Sequence, residues 1–83
     1  MHVTLKLFAS LSQHLPAGSR DNTTEVEVAA DETVQDIIQR MGLPEKSVHL
    51  VLLNGTYLSP EQRVAQQPRA GDQLAIWPPV AGG

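Results

Sequence analysis

The stretch TVQDIIQRMGLP, residues 33–44, carries the clearest amphipathic helix pattern of the chain and settles the fold class. Its apolar positions recur at i, i+3, i+4 and i+7 and therefore share one helix face; they are Val34, Ile37, Ile38 and Met41. Thr33 with Asp36 three residues later is typical of a helix N-cap. Gly42 fits the position just after the helix, and Pro44 prevents its continuation.

Strand patterns lie on both sides of this helix. Residues 2–8 and 23–29 alternate between apolar and polar positions before it. Residues 48–53, 56–58 and 73–77 form three further strand candidates after it, with an Asn-Gly turn between the first two. The order predicts an α+β fold in which one main helix covers one face of a mixed four- to five-stranded sheet.

The alternation also predicts which side chains form the core. The expected core residues are Val3, Leu5, Leu7, Val26, Val28, Val34, Ile37, Ile38, Met41, Leu74 and Ile76. Residues 48–53 are apolar on both faces, so their phase stays open. Residues 9–22 are expected to form a loop with one helical turn near Leu11, and residues 59–63 a turn or a single 3₁₀ turn.

Composition limits the function classes. The 83 residues suffice for one small domain and leave little volume for a deep catalytic pocket. The absence of cysteine excludes disulfides, a thiol nucleophile and thiolate metal sites. Without a basic surface, nucleic-acid binding is not expected. The sequence contains neither a long apolar run nor a signal-peptide pattern. We therefore expect no membrane association and a cytoplasmic location.

Six of the nine acidic residues fall in one window that holds no Lys or Arg. They are Asp21, Glu25, Glu27, Asp31, Glu32 and Asp36. One interpretation is a solvated edge strand followed by a helix N-terminus, where acids are favoured by the helix dipole. The other is a docking surface for a basic partner.

The chain ends in Pro-Pro-Val-Ala-Gly-Gly, residues 78–83. We expect a folded domain over residues 1–77 and a flexible tail over 78–83. The carboxylate of Gly83 is ionised at neutral pH and becomes reactive only when activated, for example by joining to AMP. Residues without Cβ can thread a narrow channel, while proline favours an extended path. The segment expected to enter a partner's active site comprises Pro78, Pro79, Val80, Ala81 and Gly82.

Three features together resemble a known family: the element order, the run AGDQLAI at residues 70–76, and the Gly82-Gly83 ending. They look like the ubiquitin-like sulfur carriers, the family of the molybdopterin synthase small subunit MoaD and the thiamin sulfur carrier ThiS. The resemblance implies a β-grasp fold. It also implies that a partner resembling ubiquitin-activating enzymes adenylates Gly83 with ATP, and that a sulfur donor protein then converts it to a thiocarboxylate. With no thiol in the chain, any sulfur would be carried on Gly83.

Two subfamilies compete within this resemblance. The ending at residues 78–83 resembles the molybdopterin synthase small subunit, whereas Leu53-Asn54-Gly55 is closer to the thiamin carrier. We favour molybdopterin biosynthesis, with the synthase large subunit as sulfur acceptor, because the acceptor's active site should select the tail. A thiamin sulfur carrier, a protein modifier joined to lysines through Gly83, and a binding-only domain remain alternatives.

The sheet face without the helix is expected to carry Phe8, Ala75 and Trp77, together with part of the strand at residues 48–53. An exposed aromatic patch on a small domain indicates a partner-docking surface. The alternative is that Trp77 folds over the sheet edge and is merely half-buried.

An enzyme in its own right is not expected. The histidines His2, His14 and His49 are scattered without metal-ligand spacing, and the chain has neither a phosphate-binding glycine loop nor a nucleophile motif. No bound cofactor and no metal site are therefore predicted.

Overall fold

A computed structural model describes residues 1–79, and the predicted order of elements is confirmed. The strands are β1 (His2–Leu7), β2 (Thr23–Glu27), β3 (Leu50–Leu53), β4 (Thr56–Tyr57) and β5 (Gln73–Trp77). The α-helices are α1 (Val34–Arg40) and α2 (Pro60–Arg63), and 3₁₀ helices cover Ala9–His14 and Glu45–Ser47. All five strands join one mixed sheet, at the upper end of the predicted range.

The strands lie in the order β2-β1-β5-β3-β4. β5 is parallel to β1 and antiparallel to β3, and the remaining pairs are antiparallel. Ala75 lies opposite Lys6 on one side and Leu52 on the other. The last strand of the chain is therefore the central strand of the sheet, with neighbours on both sides.

Helix α1 begins at the capping box that the sequence predicts. The Asp36 N–H donates to Thr33 Oγ1 at 3.2 Å, and the Thr33 N–H donates to Asp36 Oδ2 at 3.0 Å. Gly42, with a φ of +74°, follows the last helical turn as a C-terminal cap requires. With only seven helical residues, α1 depends on packing against the sheet more than on intrinsic propensity.

The core lies between α1 and one face of the sheet. Every predicted core residue is buried except Met41, which is half-buried and packs against the edge of the core. Additional buried apolar residues, not among those predicted, are Leu11, Leu43, Val51, Leu53, Leu58 and Ala75. Met41 is only half-buried because it lies past the last residue of α1, at the C-cap.

The phase of β3, open from the sequence, is set by its pairing with β5. Val51 lies opposite Ile76, and the register of the two strands then turns Val51 to the core and Leu50 and Leu52 to the opposite face. A side-chain row on the face away from α1 therefore includes Leu52 beside Ala75.

Two turns singled out in the sequence meet in space. Asn54 Nδ2 donates to Asp72 Oδ1 at 2.9 Å, and the Gln73 N–H donates to Asn54 Oδ1 at 2.9 Å. Asp72 Oδ2 also accepts the Arg69 N–H at 2.7 Å. Asn54 and Gly55 both have positive φ, as a two-residue hairpin turn requires. The hairpin between β3 and β4 is thus fastened to the start of β5.

The segment after β4 differs from the expectation of a turn or 3₁₀ turn. Residues 60–63 form the short α-helix α2, which begins with a second capping box. The Gln62 N–H donates to Ser59 Oγ at 3.2 Å, and the Ser59 N–H donates to Gln62 Oε1 at 2.7 Å. Pro60 occupies the first turn, where its missing N–H costs no hydrogen bond.

Candidate functional site: the open sheet face and the end of β5

The predicted site consists of the terminal residues and a docking patch on the sheet. Residues 80–83, which contain the predicted reactive Gly83 and the threading residues Val80, Ala81 and Gly82, lie outside the described residues. The structure therefore describes only the first two residues of the predicted tail, Pro78 and Pro79, and the docking patch.

β5 ends at Trp77 in the middle of the sheet. The Trp77 carbonyl accepts the His49 N–H at 3.0 Å, and Trp77 lies opposite Leu50. Pro78 remains buried against the domain, and Pro79 is exposed. Pro78 is thus the last buried residue that the structure describes, and the division of the chain at residue 77 stays a prediction.

Phe8 and Trp77 form a parallel ring stack at the end of β5. Their ring centroids are 4.2 Å apart and the planes differ by 2°. The Phe8 N–H donates to the Ile76 carbonyl at 3.1 Å, which extends the pairing of β1 and β5 and brings the two rings together. Both side chains are half-buried, so each ring keeps surface for another molecule.

Ala75 lies on the same face but contributes little surface, since only 6% of it is exposed. Its strand neighbours Lys6 and Leu52 carry longer side chains on either side. Ala75 thus leaves a shallow floor rather than a contact of its own, and the predicted patch is smaller at this point than the sequence suggests.

The patch instead extends away from β1. Leu50 and Leu52 on β3 are half-buried, and Tyr57, opposite Leu52 on β4, is 52% exposed. We call the set Phe8, Leu50, Leu52, Tyr57 and Trp77 the open-face patch. The sequence left open which residues of the strand at 48–53 share this face, because a strand that is apolar on both faces shows no phase. Tyr57 was not predicted to be part of it.

Three of the six carboxylates of the acidic window make contacts within the domain, namely those of Glu27, Glu32 and Asp36. Glu27 contacts His2 Nε2 at 2.9 Å and the Met1 amino group at 3.3 Å. Asp36 is part of the α1 capping box. These contacts support the interpretation of a solvated edge strand and a helix N-terminus.

Glu32 is held by Arg40 at the far end of α1. Arg40 Nε and Nη2 donate to the Glu32 carboxylate at 3.0 and 3.2 Å, and the Ala29 N–H donates to it at 2.9 Å. These hydrogen bonds, the Arg40 contact foremost, lower the pKa of Glu32 below its ordinary value of 4.5. Arg40 Nη2 also donates to the Glu27 carbonyl at 2.8 Å and so occupies part of the outer edge of β2.

Within residues 1–79, no group of three His, Asp or Glu side chains is arranged to hold a metal ion. No helix in this part of the chain is long and apolar enough to cross a membrane. The three histidines lie on separate parts of the fold: His2 is on β1, His14 ends a 3₁₀ helix, and His49 precedes β3.

Comparison with known proteins identifies the family. The family model described as Mut7-C ubiquitin matches residues 1–82. The chain belongs to the Mut7-C ubiquitin family. Its relation to ubiquitin-like proteins, predicted from the element order and the sequence motifs, is thereby confirmed. The search of curated proteins gives no match.

Solved structures of the same fold cover nearly the whole chain. SAMP1 from Haloferax volcanii is 32% identical, with a TM-score of 0.69 and 100% of both chains covered. The HVO 2177 protein of the same organism is 26% identical, with a TM-score of 0.77, covering 100% of this chain and 87% of that one. A putative molybdopterin converting factor subunit 1 from Pyrococcus furiosus is 24% identical, with a TM-score of 0.70 and coverages of 95% and 98%.

More distant structures share the fold alone. ThiS from Geobacter metallireducens is 19% identical, with a TM-score of 0.62 and coverages of 96% and 99%. A chain of the complex of subunits 1 and 2 of the molybdopterin-converting factor from Helicobacter pylori is 17% identical, with a TM-score of 0.62 and full coverage of both chains. Together these structures confirm the predicted β-grasp fold.

Proposed function

We propose that this Mut7-C ubiquitin protein is a sulfur carrier that works through a free carboxylate at Gly83. The observation that carries the proposal is the position of the open-face patch beside the end of β5. A partner that docks on Phe8 and Trp77 lies next to Pro78 and Pro79, the last residues that the structure describes. In this role the protein is a co-substrate for other enzymes rather than a catalyst, and it acts in the cytoplasm, where ATP is available.

The chemistry runs in two steps. An adenylating partner of the ubiquitin-activating type uses the Gly83 carboxylate to attack the α-phosphate of ATP, and pyrophosphate leaves. A sulfide equivalent from a donor protein then attacks the acyl-adenylate carbonyl; the carbon–sulfur bond forms and AMP leaves. The chain contains no cysteine, so the thiocarboxylate at Gly83 is where it would hold sulfur.

For the sulfur acceptor we favour the large subunit of a molybdopterin synthase. The Pro-Pro-Val-Ala-Gly-Gly sequence of residues 78–83 supports this choice, as does the full-length likeness in fold to a putative molybdopterin converting factor subunit 1. A thiazole synthase of thiamin biosynthesis is the alternative acceptor, on the strength of the Asn54-Gly55 turn and the fold shared with ThiS. A complex of the H. pylori subunits 1 and 2 supports a stable pairing of carrier and acceptor.

A second function is favoured by the level of identity. The protein that is 32% identical over its full length is described as a small archaeal modifier protein. After the same adenylation step, attack by a lysine amine in place of sulfide would join Gly83 to a target protein by an isopeptide bond. The two functions therefore share the activating partner and the open-face patch and differ in the nucleophile.

Intact mass spectrometry of protein purified from its own cells tests both functions. A mass increase equal to replacement of one oxygen by sulfur at a chain ending in Gly83 supports the carrier. Higher-mass conjugates that release Gly83-linked lysine peptides on digestion support the modifier. Deletion of Gly83 should abolish either product, and a Lys46→Arg variant is the control for a change elsewhere on the surface. Full pathway function after deletion of Gly83 would overturn both proposals.

A further inference from the structure

A second surface lies on the other side of the molecule, between the two helices. A cleft of about 440 Å³ separates α1 from α2 and the segment before β3. Ile38, Leu43, Val48 and Val64 contribute apolar walls, and Arg63 and Glu45 are the charged residues that line it. We call this the helix-side cleft. Its volume falls in the range usual for ligand sites.

Arg63 is the one buried charged residue within residues 1–79, at 7% exposure. Its Nε donates to the Leu58 carbonyl and its Nη2 to the His49 carbonyl, both at 3.3 Å. These bonds are longer than is usual for N–H donors to oxygen, and neither acceptor is charged. Buried guanidinium groups are normally paired with a carboxylate, yet no carboxylate of residues 1–79 lies within ion-pair distance of Arg63.

The third guanidinium nitrogen is the one available to a ligand. Nη1 of Arg63 donates to no group within residues 1–79. Every buried side-chain nitrogen in that part of the chain has a hydrogen-bond partner. Nη1 has none, so it is not fully buried and solvent reaches it. The capping box fixes the start of α2, and the carbonyls of Leu58 and His49 fix the Arg63 side chain at its last residue. A fixed and largely buried cation thus presents its remaining N–H donors at the wall of the cleft.

The apolar walls restrict what can approach this cation. Val64, at the rim, is 60% exposed and is one of two large apolar side chains in residues 1–79 that stand out in solvent. Ile38 and Leu43 form buried parts of the wall. A ligand that fits has an apolar group next to its charge.

Glu45 opposes any anion in the cleft. It lines the same cleft, and no ion pair joins it to Arg63. Its repulsion and the attraction of Arg63 both grow with the charge of the ligand, so Glu45 lowers the affinity without selecting between anions. A carboxylate is the partner that a buried guanidinium normally has in a folded protein, and Arg63 has none among residues 1–79. The unpaired charge therefore favours a carboxylate, with Arg63 as its partner and Glu45 keeping the affinity low.

We propose that the helix-side cleft binds an acidic peptide segment of a partner protein, in which a Glu or Asp side chain pairs with Arg63 and a neighbouring aliphatic side chain packs against Val48 and Val64. This surface lies away from the open-face patch and does not depend on the chemistry of Gly83. The protein could then hold its activating partner and a second protein at the same time.

Two-dimensional amide NMR titrations test the proposal with the peptides Ac-Leu-Glu-NH₂ and Ac-Leu-Gln-NH₂. The acidic peptide should give saturable shifts at Ile38, Val48 and Val64, together with the Arg63 Nε–H. The uncharged peptide should bind about tenfold more weakly, since it forfeits a hydrogen bond between charged groups. Equal binding of the two peptides, or no saturable shift with either, would overturn the proposal.

Variants separate recognition from folding. Glu45→Gln removes the opposing carboxylate from a solvent-exposed position and should tighten binding of the acidic peptide severalfold, whereas Glu61→Gln, outside the cleft, should not. Arg63→Lys should weaken that binding in a sample whose spectrum shows the native fold. If Arg63→Lys does not fold, the Glu45→Gln variant alone tests the proposal. An unchanged affinity of Glu45→Gln for the acidic peptide would refute the charge argument. These binding results do not depend on Gly83, so the peptide titrations and the deletion of Gly83 test the two proposals separately.

Discussion

The two faces of the sheet are built from alternate residues of the same strands and serve opposite purposes. On the face under α1, Leu74 and Ile76 are fully buried. On the other face of the same strand, Trp77 is half-buried and stacks on Phe8. The covered face accounts for the stability of the domain, and the open face keeps large apolar side chains in solvent at the place where the chain leaves the sheet.

The comparison shows that a small domain can leave large apolar side chains partly exposed without losing its fold. One helix suffices to cover one face, because a single sheet needs only one apolar layer to form a core. The second face is then left with exposed apolar area, the surface at which we propose that partners dock. The following predictions test how far the two faces are independent.

Truncation under α1 should have the largest effect. Ile76→Ala deletes a fully buried side chain in the central strand and should lower the free energy of unfolding by about 2–5 kcal/mol. Leu52→Ala, on the open face, should cost only about 1 kcal/mol because Leu52 is half-buried. Urea denaturation of the two variants checks this difference. Similar losses for both would mean that the open face also belongs to the core.

Trp77→Ala should affect partner binding more than folding. We expect affinity for the adenylating partner to fall by about 2 kcal/mol or more, as for a central aromatic contact. Stability should fall by about 1 kcal/mol, the scale of a lost aromatic pair. Isothermal titration calorimetry and urea denaturation give the two numbers. Val64→Ala, an exposed apolar residue on the opposite side, is the matched control and should leave this affinity unchanged.

Asp72→Ala tests the fastening between the hairpin turn and β5, which serves both faces. It removes the acceptors of Asn54 Nδ2 and the Arg69 N–H and should cost about 1–2 kcal/mol. Hydrogen exchange should quicken in β4 first, since β4 has a neighbour on one side alone. Asp31→Ala, an exposed acid outside this network, is the control. Unchanged exchange in β4 would show that strand pairing holds the hairpin without Asp72.

The smallest effect concerns Glu32 and the acid stability of the α1 layer. Because folding lowers the pKa of Glu32, its contribution is present above the unfolded pKa near 4.5 and is lost as pH falls through the folded value. Glu32→Gln should therefore be slightly less stable than the wild type at pH 7, and the gap should close in acid. Thermal melts at neutral pH and below pH 4.5 measure it. A gap that persists in acid, or an equal one for Glu25→Gln, would contradict the assignment to the Arg40 contact.

Much of the architecture follows from local patterns. The repeat of Val34, Ile37 and Ile38 and the cap at Thr33 predicted α1, because helix period and capping act over a few residues. Strict alternation in β1 and β5 predicted which side chains enter the core, since successive strand residues point to opposite faces. The short helix α2 was not predicted, because proline is common both in turns and at helix N-termini. Pro60 occupies the N-terminus of a helix.

By itself, the sequence determined the element order, the capped helix, most of the core and the residues that resemble ubiquitin-like carriers. Only the tertiary structure decided the strand order, the phase of β3, the contact between Asn54 and Asp72, the burial of Ala75 and the position of Arg63 in the helix-side cleft. The physical reason is distance along the chain: periodicity and capping are set by neighbours, whereas register and side-chain surroundings depend on pairing between segments that lie far apart in sequence.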